Sequence, residues 1–111
     1  MLLDLGTQLY ASGRWQQADD TFRRLADEGD QEATRQAKLG IARVALRTKQ
    51  YDACLQHCYE LVNYDLTGEE KAEVLKLMGS VYERQGKHAE AALCFAGMVP
   101  TAGRARGEQL P

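Results

Sequence analysis

Within one helical turn, Cys54, His57 and Cys58 bring together two thiols and an imidazole, the donors of a soft-metal site. Structural zinc needs four well-placed ligands, and a fourth is not evident. The cysteines read better as small buried apolar residues, the usual behaviour of free Cys. A bridge between Cys54 and Cys58 would strain a helix. With Cys94 the count is three, so no disulfide framework is expected. Nucleophilic catalysis finds no Ser-His-Asp or Cys-His arrangement, and phosphate binding finds no Gly-rich loop. Asp19-Asp20 and Glu69-Glu70 fall near helix starts, where acids suit the dipole, and read as solvated pairs. His57 is expected at the edge of solvent. No catalytic residue, metal or cofactor is expected, and no enzymatic activity.

The chain that carries these residues is 111 residues long, one small domain or a few copies of something smaller. Its composition, 44% apolar and 27% charged, is that of a folded soluble domain. Lys and Arg number 14 against 16 Asp and Glu, a net charge of −2. Nucleic-acid binding needs a basic surplus, so that class is set aside. The longest stretch without a charge or strongly polar residue, Ala91 to Val99, is too short to cross a bilayer. An acid, Asp4, stands where a secretory signal would be basic. With three unpaired cysteines this predicts a cytoplasmic location, or a periplasmic one for an internal piece of a secreted protein.

Apolar residues recur at three- and four-residue intervals nearly throughout, as in Leu2, Leu5, Gly6 and Leu9 or Leu75, Met78, Gly79 and Tyr82. This rhythm predicts six helices at about 2–12, 15–28, 31–48, 51–63, 68–85 and 88–98. Gly13 and Gly86 fall between helical runs, where positive φ can reverse the chain, and Gly29 follows a helix end. Asp30 can cap the third helix, and Thr67 with Glu70 has the spacing of a capping box. Connections this short make successive helices pack antiparallel.

The chain also repeats. Gly6, Ala42 and Gly79 are spaced by 36 and 37 residues. Twelve residues after each stands Ala18, Cys54 or Ala91, and four further on Phe22, Cys58 or Phe95. Trp15, Tyr51 or His88 starts each second helix, and His88 reads as packing in place of an aromatic ring. The third copy, Leu75-x-x-Met78-Gly79-x-x-Tyr82 then Ala91-x-x-x-Phe95, resembles the tetratricopeptide repeat. The first copy, Leu2-x-x-Leu5-Gly6-x-x-Leu9 then Ala18-x-x-x-Phe22, fits nearly as well, and the middle copy is degenerate. The proline that ends the family's repeat is replaced by Asp30, Leu66 and Gly103. The family repeat is about 34 residues, so each junction carries two or three extra. The resemblance implies an all-α, right-handed superhelical solenoid of three helix-turn-helix hairpins, at about 1–30, 31–66 and 67–99. Residues 100–111 are expected to form a flexible tail. Close helix approach is assigned to Gly6, Ala42 and Gly79, and the space between hairpins to Phe22 and Phe95.

In this family the first helices line a concave groove that holds a peptide or a partner's helix. Carried over, the groove positions are Leu3, Thr7 and Tyr10, then Gln36, Leu39, Arg43, Leu46 and Arg47, then Glu73, Lys76, Ser80, Glu83 and Arg84. Arg43 and Arg47 share a helix face, either to fork onto a carboxylate or to pair with nearby acids. The family's heat-shock co-chaperones clamp a C-terminal carboxylate with Lys and Asn. The corresponding places here hold Leu3, Thr7, Gly40, Glu73 and Leu77, so that role is set aside. The expected function is a non-catalytic protein-protein interaction module, such as a segment of a bacterial scaffold or assembly factor. Two alternatives stay open: a module that self-associates through uncapped end faces carrying Leu93, Phe95, Met98 and Val99, and a secretion-type chaperone for an export substrate. The uncapped faces suggest either excision from a longer protein, the preferred reading, or a homo-oligomer.

Overall fold

A computed structural model describes residues 2–100. Six helices account for it: α1 Leu2–Ala11, α2 Trp15–Glu28, α3 Gln31–Arg47, α4 Tyr51–Leu61, α5 Gly68–Arg84 and α6 His88–Phe95. Among the described residues there is no strand. The expected tail lies, beyond Pro100, outside the described residues. Helix starts match the sequence periodicity, and several ends come one to three residues early. At α6 the reason is Gly97, whose φ of 90° stops the helix before Met98.

Each hairpin turns in the same way. Gly13 and Gly86 both adopt φ 76°, and the residue after each donates back across the turn, Arg14 to the Leu9 carbonyl and Lys87 to that of Tyr82. The middle turn repeats this geometry, with Gln50 donating to the Ala45 carbonyl at 2.8 Å, but the residue at φ 62° is Lys49. A side chain there meets its own carbonyl, a strain that glycine avoids. Gly29 differs from its expected role. Its φ is −85°, and it is small because a Cβ would lie 2.6 Å from the Cβ of Ala33. Asp30 caps α3 by accepting from the Ala33 amide, and Thr67 and Glu70 close a reciprocal capping box on α5.

The helices pair as α1/α2, α3/α4 and α5/α6, with α2 against α3 and α4 against α5. The first helices α1, α3 and α5 also touch in sequence, whereas α2 and α4, and α4 and α6, stay apart. The stack therefore curves with the first helices on its inner side. One apolar cluster joins α2 and α3, around Ala18, Phe22, Ala37, Ile41 and Val44. A larger one joins α3 to α6, around Cys54, Cys58, Leu61, Val74, Met78 and Val81.

Phe22 explains the first junction. It is 1% exposed, and a Cβ on Gly6 would meet its ring at 2.6 Å. From the other side, a Cβ on Gly40 would meet it at 2.7 Å. One ring thus fills a slot between α1 and α3 that only two glycines leave open. In the middle copy Cys58 stands in place of the ring and Ala42 in place of the glycine, and both are fully buried. Phe95 lies over Gly79 as Phe22 lies over Gly6, yet it is 54% exposed and does not fill a gap between hairpins. After α6, the Tyr59 hydroxyl donates to the Pro100 carbonyl at 3.0 Å and pairs with the Tyr82 hydroxyl at 2.7 Å, which holds the segment that follows α6 against the core.

Two stability measurements follow from this packing. Gly40→Ala gains helix propensity of about 1 kcal/mol but overpacks Phe22 by about 1–3 kcal/mol, so denaturant unfolding should show net loss. Adding Phe22→Leu should make the alanine less costly, and strict additivity in that double-mutant cycle would remove the contact as the cause. Lys49→Gly should stabilise the chain by about 1 kcal/mol, raising the melting temperature by about 5 °C. An unchanged or lower melting temperature would contradict the strained turn.

Candidate functional site

The inner faces of α1, α3 and α5 line a hollow of about 670 Å³, in the range of known ligand sites. Tyr10 reaches the concave hollow from α1, and Arg43, Leu46 and Arg47 from α3. Ala72, Glu73, Lys76, Leu77 and Ser80 form the α5 wall. Their spacing at three and four residues puts one stripe of α5 along it. Ala72 and Leu77 were not among the expected groove residues. Their place in the 73, 76, 80 stripe is the signal that would have found them.

The other expected groove positions lie elsewhere. Leu39 is a correction: it is 3% exposed and belongs to the larger core, because α3 is covered on that side by its neighbours. Leu3 packs on the first core cluster, and the Thr7 hydroxyl donates to the Leu3 carbonyl at 2.9 Å. Gln36 donates to the Glu70 carboxylate at 2.8 Å. Glu83 bonds the imidazole of His88 at 2.7 Å. That imidazole is 76% exposed, so His88 does not pack as its aromatic counterparts do. Arg84 is exposed in the last turn of α5, where a cation suits the helix dipole.

Arg43 and Arg47 do not act as one fork. The Arg43 guanidinium pairs with Glu73 across the hollow, joining α3 to α5. Arg47 instead lies over the indole of Trp15, 5.4 Å from the ring centroid. Trp15 is held edge-on by Tyr10 at 5.3 Å between centroids, so α1, α2 and α3 together fix the guanidinium. Among the described residues neither Arg47 nor Lys76 has a carboxylate at ion-pair distance.

All three cysteines are buried and free. The hydrogen bond between Cys54 and Cys58 holds the Cys54 thiol below its ordinary value and, with burial, pushes that of Cys58 far up, and burial raises Cys94 to about 11. Burial holds His57 below its ordinary value. Among the described residues no group of three His, Cys, Asp or Glu side chains is placed to hold a metal ion, and no helix is long and apolar enough to cross a membrane. A second hollow, about 320 Å³, opens on the outer side between α2 and α4, and its Asp19 is already paired with Arg23 at 2.7 Å.

Glu70 ties the α3 and α5 walls together. Its carboxylate was expected in solvent but is 9% exposed. It accepts from the Thr67 amide at 2.9 Å, from Arg35 at 3.3 Å and from Gln36 at 2.8 Å. The Thr67 amide first, then the Arg35 guanidinium, outweigh burial and hold its pKa below the ordinary glutamate value. A lowered folded pKa adds stability above the unfolded pKa, which is lost as the pH falls toward the folded one. Glu70→Gln keeps an acceptor for the cap but removes the charge. Melting temperatures should fall at neutral pH and drop less steeply than wild type on acidification below about pH 5. Parallel acid profiles would place the acid sensitivity elsewhere.

A family model described as a tetratricopeptide repeat-like domain matches residues 2–104. No curated protein and no solved structure matches the chain. The chain belongs to the tetratricopeptide repeat-like family.

Proposed function

We propose that the chain is a non-catalytic protein-interaction module that holds a peptide or helix of a partner protein in its concave hollow. The observation that carries this reading is the hollow of about 670 Å³, with Leu46, Leu77 and Ala72 among its lining and charged groups beside them. Apolar surface with a few fixed polar groups is what a specific binding site offers. The family supports a scaffold role.

A second reading, association through the end face of α6, is favoured by Phe95 and Met98, 54% and 56% exposed. Phe22 is covered on both sides, by Gly6 and Gly40, whereas Phe95 is seated only on Gly79. A further helix or a second copy would complete that contact.

Ser80→Trp separates the two readings, since it fills the hollow and leaves the end face alone. Capture of partners from a cell lysate should fall at least about tenfold for this variant, a loss of about 1.4 kcal/mol, at unchanged helix content by circular dichroism. Unchanged capture would exclude the hollow. Light scattering over a wide concentration range tests the other face, where association should weaken in Phe95→Glu. A monomer at every concentration would remove self-association.

A further inference from the structure

The concave hollow carries charge opposite to that of the whole chain. The protein is net negative, at −2, yet Arg43, Arg47 and Lys76 face the hollow against the single carboxylate of Glu73. Arg43 and Glu73 neutralise each other across it. What remains is one cation on each long wall, Arg47 on α3 and Lys76 on α5, with Leu46 and Leu77 among the side chains between. Two other acids of α5 are occupied: Glu83 by His88, and Glu70 by Arg35.

Arg47 is also prepared for a ligand. Its guanidinium carbon lies over the Trp15 ring, 5.4 Å from the centroid, and Tyr10 contacts that ring edge-on. A guanidinium over a ring keeps N–H groups for a ligand, and these take a carboxylate through two parallel hydrogen bonds. The contact with Trp15 restricts the side chain before binding, so less freedom is lost on binding. Lys76 is exposed and makes no ion pair among the described residues, so it supplies a mobile point charge opposite.

We infer that the partner segment held in the hollow is acidic, presenting side-chain carboxylates to Arg47 and Lys76 and an apolar side chain to Leu46 and Leu77. This rests on the concave hollow being the binding surface. The carboxylates belong to Asp or Glu within the segment. The positions that grip a chain-terminal carboxylate in co-chaperones hold Leu3, Thr7, Gly40, Glu73 and Leu77 and offer no such grip.

A random peptide library, displayed with every C-terminus fused to its carrier so that no terminal carboxylate is free, tests this directly. Selection on the whole chain should enrich peptides with two or more acids around an apolar residue. For a synthetic copy of an enriched peptide, fluorescence anisotropy should show affinity falling about tenfold or more in Arg47→Glu/Lys76→Glu, and falling with added salt. Arg47→Lys, which keeps the charge but not the planar fork, should also weaken binding. Lys76→Glu alone sits on an exposed position and keeps the test valid if the double variant does not fold. Selection on the reversed protein should shift toward basic peptides. Enrichment of neutral or basic peptides that Ser80→Trp still abolishes would overturn the acidic assignment and leave the groove standing. No enrichment, or binding indifferent to Ser80→Trp, would overturn the groove reading and this inference with it.

Discussion

The ring of Phe22, enclosed between Gly6 on α1 and Gly40 on α3, sets the distance between the first two inner helices. Glycine inside a helix costs about 1 kcal/mol relative to alanine. Two such positions persist because the ring offsets that cost with burial and leaves no void. Tyr10, Arg47 and Trp15 come from the three helices this contact gathers, so the fixed guanidinium depends on it as well. Were the slot wider, α1 would move away from α3 and the stack beneath Arg47 would open.

The α3–α5 junction adds polar contacts to the larger apolar cluster. Glu70 caps its own helix, α5, and reaches Arg35 and Gln36 on α3, a carboxylate whose partners lie on both sides of the boundary. Removing a buried charge's partners is costly even where the intact group adds little net stability. Such a group holds register more than it adds energy. The Arg43–Glu73 pair repeats the connection nearer solvent, where ion pairs contribute little stability. Its effect on the site is electrostatic, since it removes one cation and leaves Arg47 and Lys76 to define the sign of the hollow.

A repeat architecture separates these tasks from the choice of partner. Each hairpin buries only part of its apolar surface, so neighbours supply the rest. Phe95 shows the same ring-on-glycine contact with one side open, and the difference from Phe22 is the presence of a neighbouring helix rather than anything in its own hairpin. The fold itself fixes no activity. Function here lies in which side chains the inner helices present.

The sequence by itself determined what depends on near neighbours in the chain. Helix starts, the Asp30 cap, the Thr67–Glu70 box and the turns at Gly13 and Gly86 are settled within a few residues, and the 36- and 37-residue recurrence carried the hairpin order. Seven of the expected groove residues, Tyr10, Arg43, Leu46, Arg47, Glu73, Lys76 and Ser80, line the hollow because helical periodicity fixes which face they share. Only the tertiary structure decided the rest. Leu39 is buried because α3 has neighbours on several sides, and Glu70 is buried because Arg35 and Gln36 lie across from it, over thirty residues away in sequence. Lys49 takes a left-handed conformation because the hairpin imposes its turn whatever residue occupies it. Gly40 is small because a ring from another helix arrives there, and Arg43 loses its free charge to an acid on another helix. Local spacing encodes which residues share a face, but the distance between faces, and hence burial and pairing, arises only when the helices meet.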